Sequence, residues 1–131
     1  MIYLLNCICL TKYSACANIK TWLQTKQNDA LDSMALAMRN VSTAQTRSAP
    51  RTLWWSASVF AEALPGVAEH ELAGAKRVCR KLDQELKLLQ DGTAKQNPAL
   101  LKDVLYYVAI SESDSNGVEK VKQVFDLSRL V

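Results

Sequence analysis

The side chain in this sequence whose setting first suggests phosphoryl chemistry is His70, its only histidine. Leu72 and Gly74 follow it at offsets of two and four. A helical histidine can accept a phosphoryl group on a ring nitrogen under three conditions. The ring must be open to solvent, a cation must stand near the phosphate charge, and small residues must leave room for the donor. His-x-Leu-x-Gly meets these conditions only in part. Ala73 stands where a phosphotransfer helix carries Lys, and Lys76, Arg77 and Val78 replace the small residues expected downstream. Leu64-Pro65-Gly66 lies just upstream, so His70 falls at a helix start, where the positive end of the dipole lowers imidazole basicity. The residues favour an ordinary surface or capping histidine, with a phosphoacceptor His70 as the rival.

Other reactive groups point to no enzyme. With one imidazole, a serine triad or a two-histidine metal site would have to use His70. Four glycines form no phosphate-binding loop. Cys7, Cys9, Cys16 and Cys79 lack a Cys-x-x-Cys pair; they read as reduced, buried thiols, with a disulfide or metal site as the alternative. Cys79 is expected in the core. Asp29 and Asp32 share a helix face as a capping pair, and Asp103 is alone in its helix. No metal and no cofactor is implied. The net charge of +3 is small and dispersed, which gives no ground for nucleic-acid binding.

Two doublets of aromatics, Trp54-Trp55 and Tyr106-Tyr107, raise a different question. Adjacent residues on a helix cannot share one buried stripe. One member of each pair should face the core. The other either packs under a neighbouring helix or stays exposed as a partner-binding anchor. The basic run Lys76, Arg77, Arg80 and Lys81 adds a charged ridge to this candidate interaction surface.

The elements that position these groups are helical. The chain has 131 residues, of which 49% are hydrophobic, with 4 Gly and 3 Pro, a composition that suits one all-α domain. Five helices and a short sixth are expected, joined by short connectors into an antiparallel bundle. The first spans about residues 2–25, with Ile19, Trp22 and Leu23 inward. Asn28 or Asp29 caps the second, whose stripe is Leu31, Met34, Met38 and Val41. Residues 42–50 read as fraying helix and then loop, with Pro50 in the first turn of the third helix. That helix turns Leu53, Ala57, Phe60, Ala61 and Leu64 inward. The fourth carries a heptad-like seam of Leu72, Ala75, Cys79, Leu82, Leu86 and Leu89, and Gly92 ends it in a left-handed turn. Asn97 caps the fifth, with Pro98 at its first position and Leu101, Val104, Leu105 and Val108 on its face. Residues 111–117 read as a solvated turn. Val118, Val121, Val124 and Phe125 mark a closing helix within 112–131.

The apolar run Ile2–Leu10 is too short to span a bilayer and lacks the basic residues of an export signal. It reads as a packed helical turn or as the ragged start of a piece from a longer protein. A cytoplasmic protein without membrane insertion is expected.

The segments "RTLWWSASVFAEAL", "AKRVCRKLDQELKLL" and "PALLKDVLYYVAIS" carry a resemblance. They resemble the N-terminal region of CheA-like hybrid histidine kinases of type IV pilus twitching-motility systems, from about Trp22 to the C-terminus. Those kinases hold tandem histidine-phosphotransfer (Hpt) or Hpt-like domains, and a related stand-alone pilus regulator shares the bundle. The matching elements are Leu53–Trp55, Lys76–Leu89 and Leu100–Ala109. The tail "VEKVKQVFDLSRLV" resembles the linker that closes the segment. The resemblance implies a degenerate Hpt-like bundle whose His70 carries no phosphate, serving as an interaction module with protein partners in a phosphorelay or pilus-regulation complex. The rivals are an active phosphotransfer domain using His70 and a helical small-ligand module with a cavity lined by Trp54 or Trp55 and Phe60.

Overall fold

The computed structural model describes residues 15–93, 97–113 and 116–125. Six α-helices form among the described residues: α1 (Ala15–Thr25), α2 (Asp29–Ala44), α3 (Ser48–Ala63), α4 (Leu72–Gln90), α5 (Pro98–Ile110) and α6 (Asn116–Phe125). Two 3-10 turns, Leu64–Gly66 and Glu69–Glu71, join α3 to α4. The described residues contain no strand. The N-terminal apolar run, Cys7 and Cys9 lie outside them.

The main inter-helix contacts close a ring in the order α1, α2, α3, α5, α4 and back to α1, and α6 packs on α3 and α5. A ring of five helices cannot reverse direction at every contact. Here the parallel pair is α3 and α5: Phe60 meets Tyr107, and Ala63 meets Ser111, so both helices end together. The pairs α2–α3 and α4–α5 run antiparallel.

Helix α3 is the hub. Leu53, Trp54, Ser56, Ala57, Ser58, Val59, Phe60, Ala61 and Ala63 are all buried, so its expected single inner face becomes a nearly complete jacket. Small residues at 56, 57, 61 and 63 let α2, α5 and α6 approach closely. The close approach leaves the Ser56 hydroxyl buried with no hydrogen-bond partner among the described residues, whereas Ser58 Oγ donates to the Trp55 carbonyl at 2.6 Å. The stripe Leu31, Met34, Met38 and Val41 is buried as expected, and so are Ile19 and Trp22. Fully burying such side chains contributes about 1.5–3 kcal/mol each before entropy is subtracted.

The helix ends follow local rules with two departures. At α4 the Thr93 N–H donates to the Leu88 carbonyl and the Gly92 N–H to that of Leu89, with Gly92 at φ 76°, a Schellman close. Asn97 Oδ1 accepts the Leu100 N–H at 3.1 Å and so caps α5. Asn28 precedes α2 without making a side-chain cap bond, so the acids of its first turn, Asp29 and Asp32, are left to favour the dipole. The polar run after Val41 is tighter than a frayed end. Helix α2 continues to Ala44, Ser42 Oγ donates to the Arg51 carbonyl at 2.8 Å, and buried Gln45 donates to that of Val41.

A polar clasp holds the shared end of α3 and α5. Ser111 Oγ donates to the Ala63 carbonyl at 2.7 Å and accepts the Ser113 N–H at 3.1 Å. The Glu112 N–H donates to the Gly66 carbonyl at 2.9 Å. Lys122 Nζ of α6 donates to the Ser111 carbonyl at 2.9 Å. A Cβ on Gly66 would collide with Ser111 Oγ and the Ser113 amide. The expected solvated turn is therefore anchored at its first residue, with Ser111 buried. In α6, Val118 and Val121 are buried and Phe125 half-buried, but Val124 is 60% exposed because its register puts it off that stripe.

Candidate docking interface

His70 sits on the single 3-10 turn Glu69–Glu71, before α4 begins. Its side chain is 81% exposed, and Nε2 lies 3.7 Å from the Glu71 carboxylate. Exposed Glu69 precedes it. The Glu71 carboxylate beside the ring, with Glu69 on the same short turn, repels an approaching phosphoryl group, which is the reverse of the cation-assisted setting that phosphotransfer needs. Gly74 has a packing role instead. A Cβ there would overlap the Tyr107 hydroxyl, so the glycine makes room for a tyrosine from α5.

The aromatic pairs divide as their 100° separation requires. Trp54 is 2% exposed and belongs to the core. Trp55 is half-buried and stacks on Phe125 of α6, with ring centroids 6.5 Å apart. Tyr107 is buried, edge-on to Phe60 at 5.9 Å and to Tyr106 at 5.0 Å. Burial pushes the Tyr107 hydroxyl above the usual tyrosine pKa of 10.0; the Glu71 carboxylate adds to the rise and Arg77 opposes it. Tyr106 stays 48% exposed, with its hydroxyl making a long contact of 3.4 Å to Glu71. Of the four aromatics, Tyr106 is therefore the most exposed.

Helix α4 buries Ala75, Val78, Cys79 and Leu82 and half-buries Leu72, Leu86 and Leu89, close to the expected seam. Its exposed residues are Ala73, Lys76, Arg77, Arg80, Lys81, Gln84, Lys87 and Leu88. That face holds five cations and no anion. Asp83 and Glu85 lie at its edges, half-buried, where Glu85 accepts from Asn97 Nδ2 at 3.0 Å. Lys81 reaches Asp103 of α5 at 3.3 Å. Sequence reasoning found Lys76, Arg77, Arg80 and Lys81 but missed Lys87 and Leu88. Projecting the helix at 100° per residue puts both of these on the same face.

Residues 18–131 match the family described as FimL scaffold protein second domain. The chain belongs to that family. No curated protein and no solved structure matches it. The match supports the pilus-chemotaxis scaffold side of the resemblance, over nearly the span from Trp22 onward that the sequence marked. A scaffold works by holding partners, so the exposed faces of such a domain matter more than its interior.

The other candidate sites are spare. Among the described residues, no three His, Cys, Asp or Glu side chains gather as a metal would need. None of the described helices is long and apolar enough to cross a membrane. Cys79 is buried, as expected. An open cleft of about 390 Å³ between α2, α3 and α6 is lined by Asn28, Leu31, Asp32, Ala61, Glu62, Pro65, Asn116 and Gly117. Trp54, Trp55 and Phe60 do not line it, so it is not the aromatic cavity that a small-ligand module would use.

Proposed function

We propose that this domain is a non-catalytic, cytoplasmic, Hpt-like docking module in a chemotaxis-type two-component system that controls type IV pilus twitching. Its partners are proteins of the phosphorelay or of a pilus-regulation complex. Lys76, Arg77, Arg80, Lys81 and Tyr106 form the contact surface; Trp54 and Tyr107 support it from within, and Trp55 anchors α6.

The observation that carries this reading is the placement of the one imidazole. His70 stands on a short turn between two glutamates, while the cations that could have served it spread along the solvent face of the next helix. The family match to a scaffold supports it from a separate direction.

The test is phosphoryl transfer to the purified chain from a phosphorylated response regulator or an autophosphorylated kinase of such a system. The expected result is no acid-labile label. Label that disappears in His70→Gln would make the domain a working phosphotransfer protein and overturn the reading.

A further inference from the structure

We propose that the solvent face of α4 binds an acidic helical segment of a protein partner, an inference that rests on the docking reading above. Three observations carry it. The first is charge: every charged residue exposed on α4 is basic, and only Lys81 has a carboxylate of another helix within 4 Å among the described pairs. The second is spacing. Lys76 and Arg80, and Arg77 and Lys81, are like-charged pairs four residues apart, which repel along a helix. The free domain carries that repulsion, and a partner with carboxylates at helical spacing relieves it.

The third observation selects the class of partner. The cationic face is bounded. Asp83 and Glu85 border it on α4, Asp103 stands beside Lys81, and Glu71 lies beside Tyr106. A polyanion with charge repeated along its length, such as duplex nucleic acid, would run on into these carboxylates. So would a flat anionic bilayer. A short helix can confine its acids to the central cations. Two exposed apolar groups suit such a segment: Leu88, at the far end of the α4 face, is 40% exposed, and Tyr106 is 48% exposed near the start of α4. Lys76 to Leu88 spans about 18 Å, or three to four helical turns of a partner.

The experiment titrates the isotope-labelled full chain with an Ala-rich helical peptide of about 18 residues bearing glutamates four apart, and with its glutamine isostere. Amide shifts are expected at residues 76–81, 88 and 106. The glutamate peptide should bind at least about tenfold more tightly than the isostere in low salt. The double variant Arg77→Glu/Arg80→Glu, checked for helicity, should lose binding to the glutamate peptide and gain it to a lysine counterpart. The same charge changes at Lys20 and Lys120, exposed on α1 and α6, should leave binding intact. Equal affinity for the two peptides, shifts on another face, or tighter binding to duplex DNA or phosphatidylglycerol vesicles would each overturn the proposal. If the peptide fails while His70 also takes no phosphate, the scaffold reading stands and only the partner's acidity is wrong.

Discussion

The two aromatic doublets begin alike and end differently. Each places two rings 100° apart on a helix, and each sends one ring into the core: Trp54 at 2% exposure and Tyr107 at 8%. The second rings part company. Helix α6 returns across α3 and lays Phe125 on Trp55, whereas Tyr106 remains nearly half exposed on α5. The local sequence is equivalent at the two sites. The difference comes from Phe125, 70 positions further along the chain, in one case and, among the described residues, from the lack of such a cover over Tyr106 in the other. Whether a flanking aromatic becomes core or contact surface is a non-local property.

Substitutions can break that contrast, beginning with the largest effect. Trp54→Ala should lower unfolding stability by about 3–5 kcal/mol in urea melts, because the hub around it cannot collapse into the space. Trp55→Ala should lose about 1–2 kcal/mol, with faster amide exchange concentrated in α6. A loss equal to that of Trp54→Ala would mean that α6 is as much core as α3. The tyrosines sharpen the comparison through pH. Burial favours the neutral Tyr107 hydroxyl, so its folded pKa lies above the unfolded value of 10.0. Its contribution is therefore complete below pH 10 and is lost as pH rises through the folded pKa. Tyr107→Phe should flatten that alkaline decline in a series of melts. Tyr106→Phe should leave both the decline and the stability within about 0.5 kcal/mol of the parent chain.

The stripes on α2 and α4 were legible because each buries one face, and a 3.6-residue period records one-sided burial. The ends at Gly92 and Asn97 were legible because a left-handed turn and a cap need particular side chains. Helix α3 was legible only in part. It is buried on nearly every side, so Ser56 and Ser58 look like surface residues in sequence yet are 0% exposed. The polar residues Ser42 and Ser111 misled because their backbone partners, Arg51 and Ala63, lie on another helix; Gln45 bonds only four residues back, to Val41, and misled because packing buries it. At the candidate site, the location of His70 at a helix start followed from Leu64-Pro65-Gly66. The reason for Gly74 did not, since Tyr107 fills that space from 33 positions onward.

The clasp at the end of α3 and α5 bears on how this chain can be engineered. Surface turns are the usual places to splice in a fluorophore or an epitope. The turn at Gly66 is a poor choice, because Glu112, Ser111 and, through it, Lys122 all moor there. Gly92 has open space around it and, among the described residues, its turn bonds only back to α4, so a label grafted beside it that keeps the glycine and its left-handed φ should leave the helices as they are.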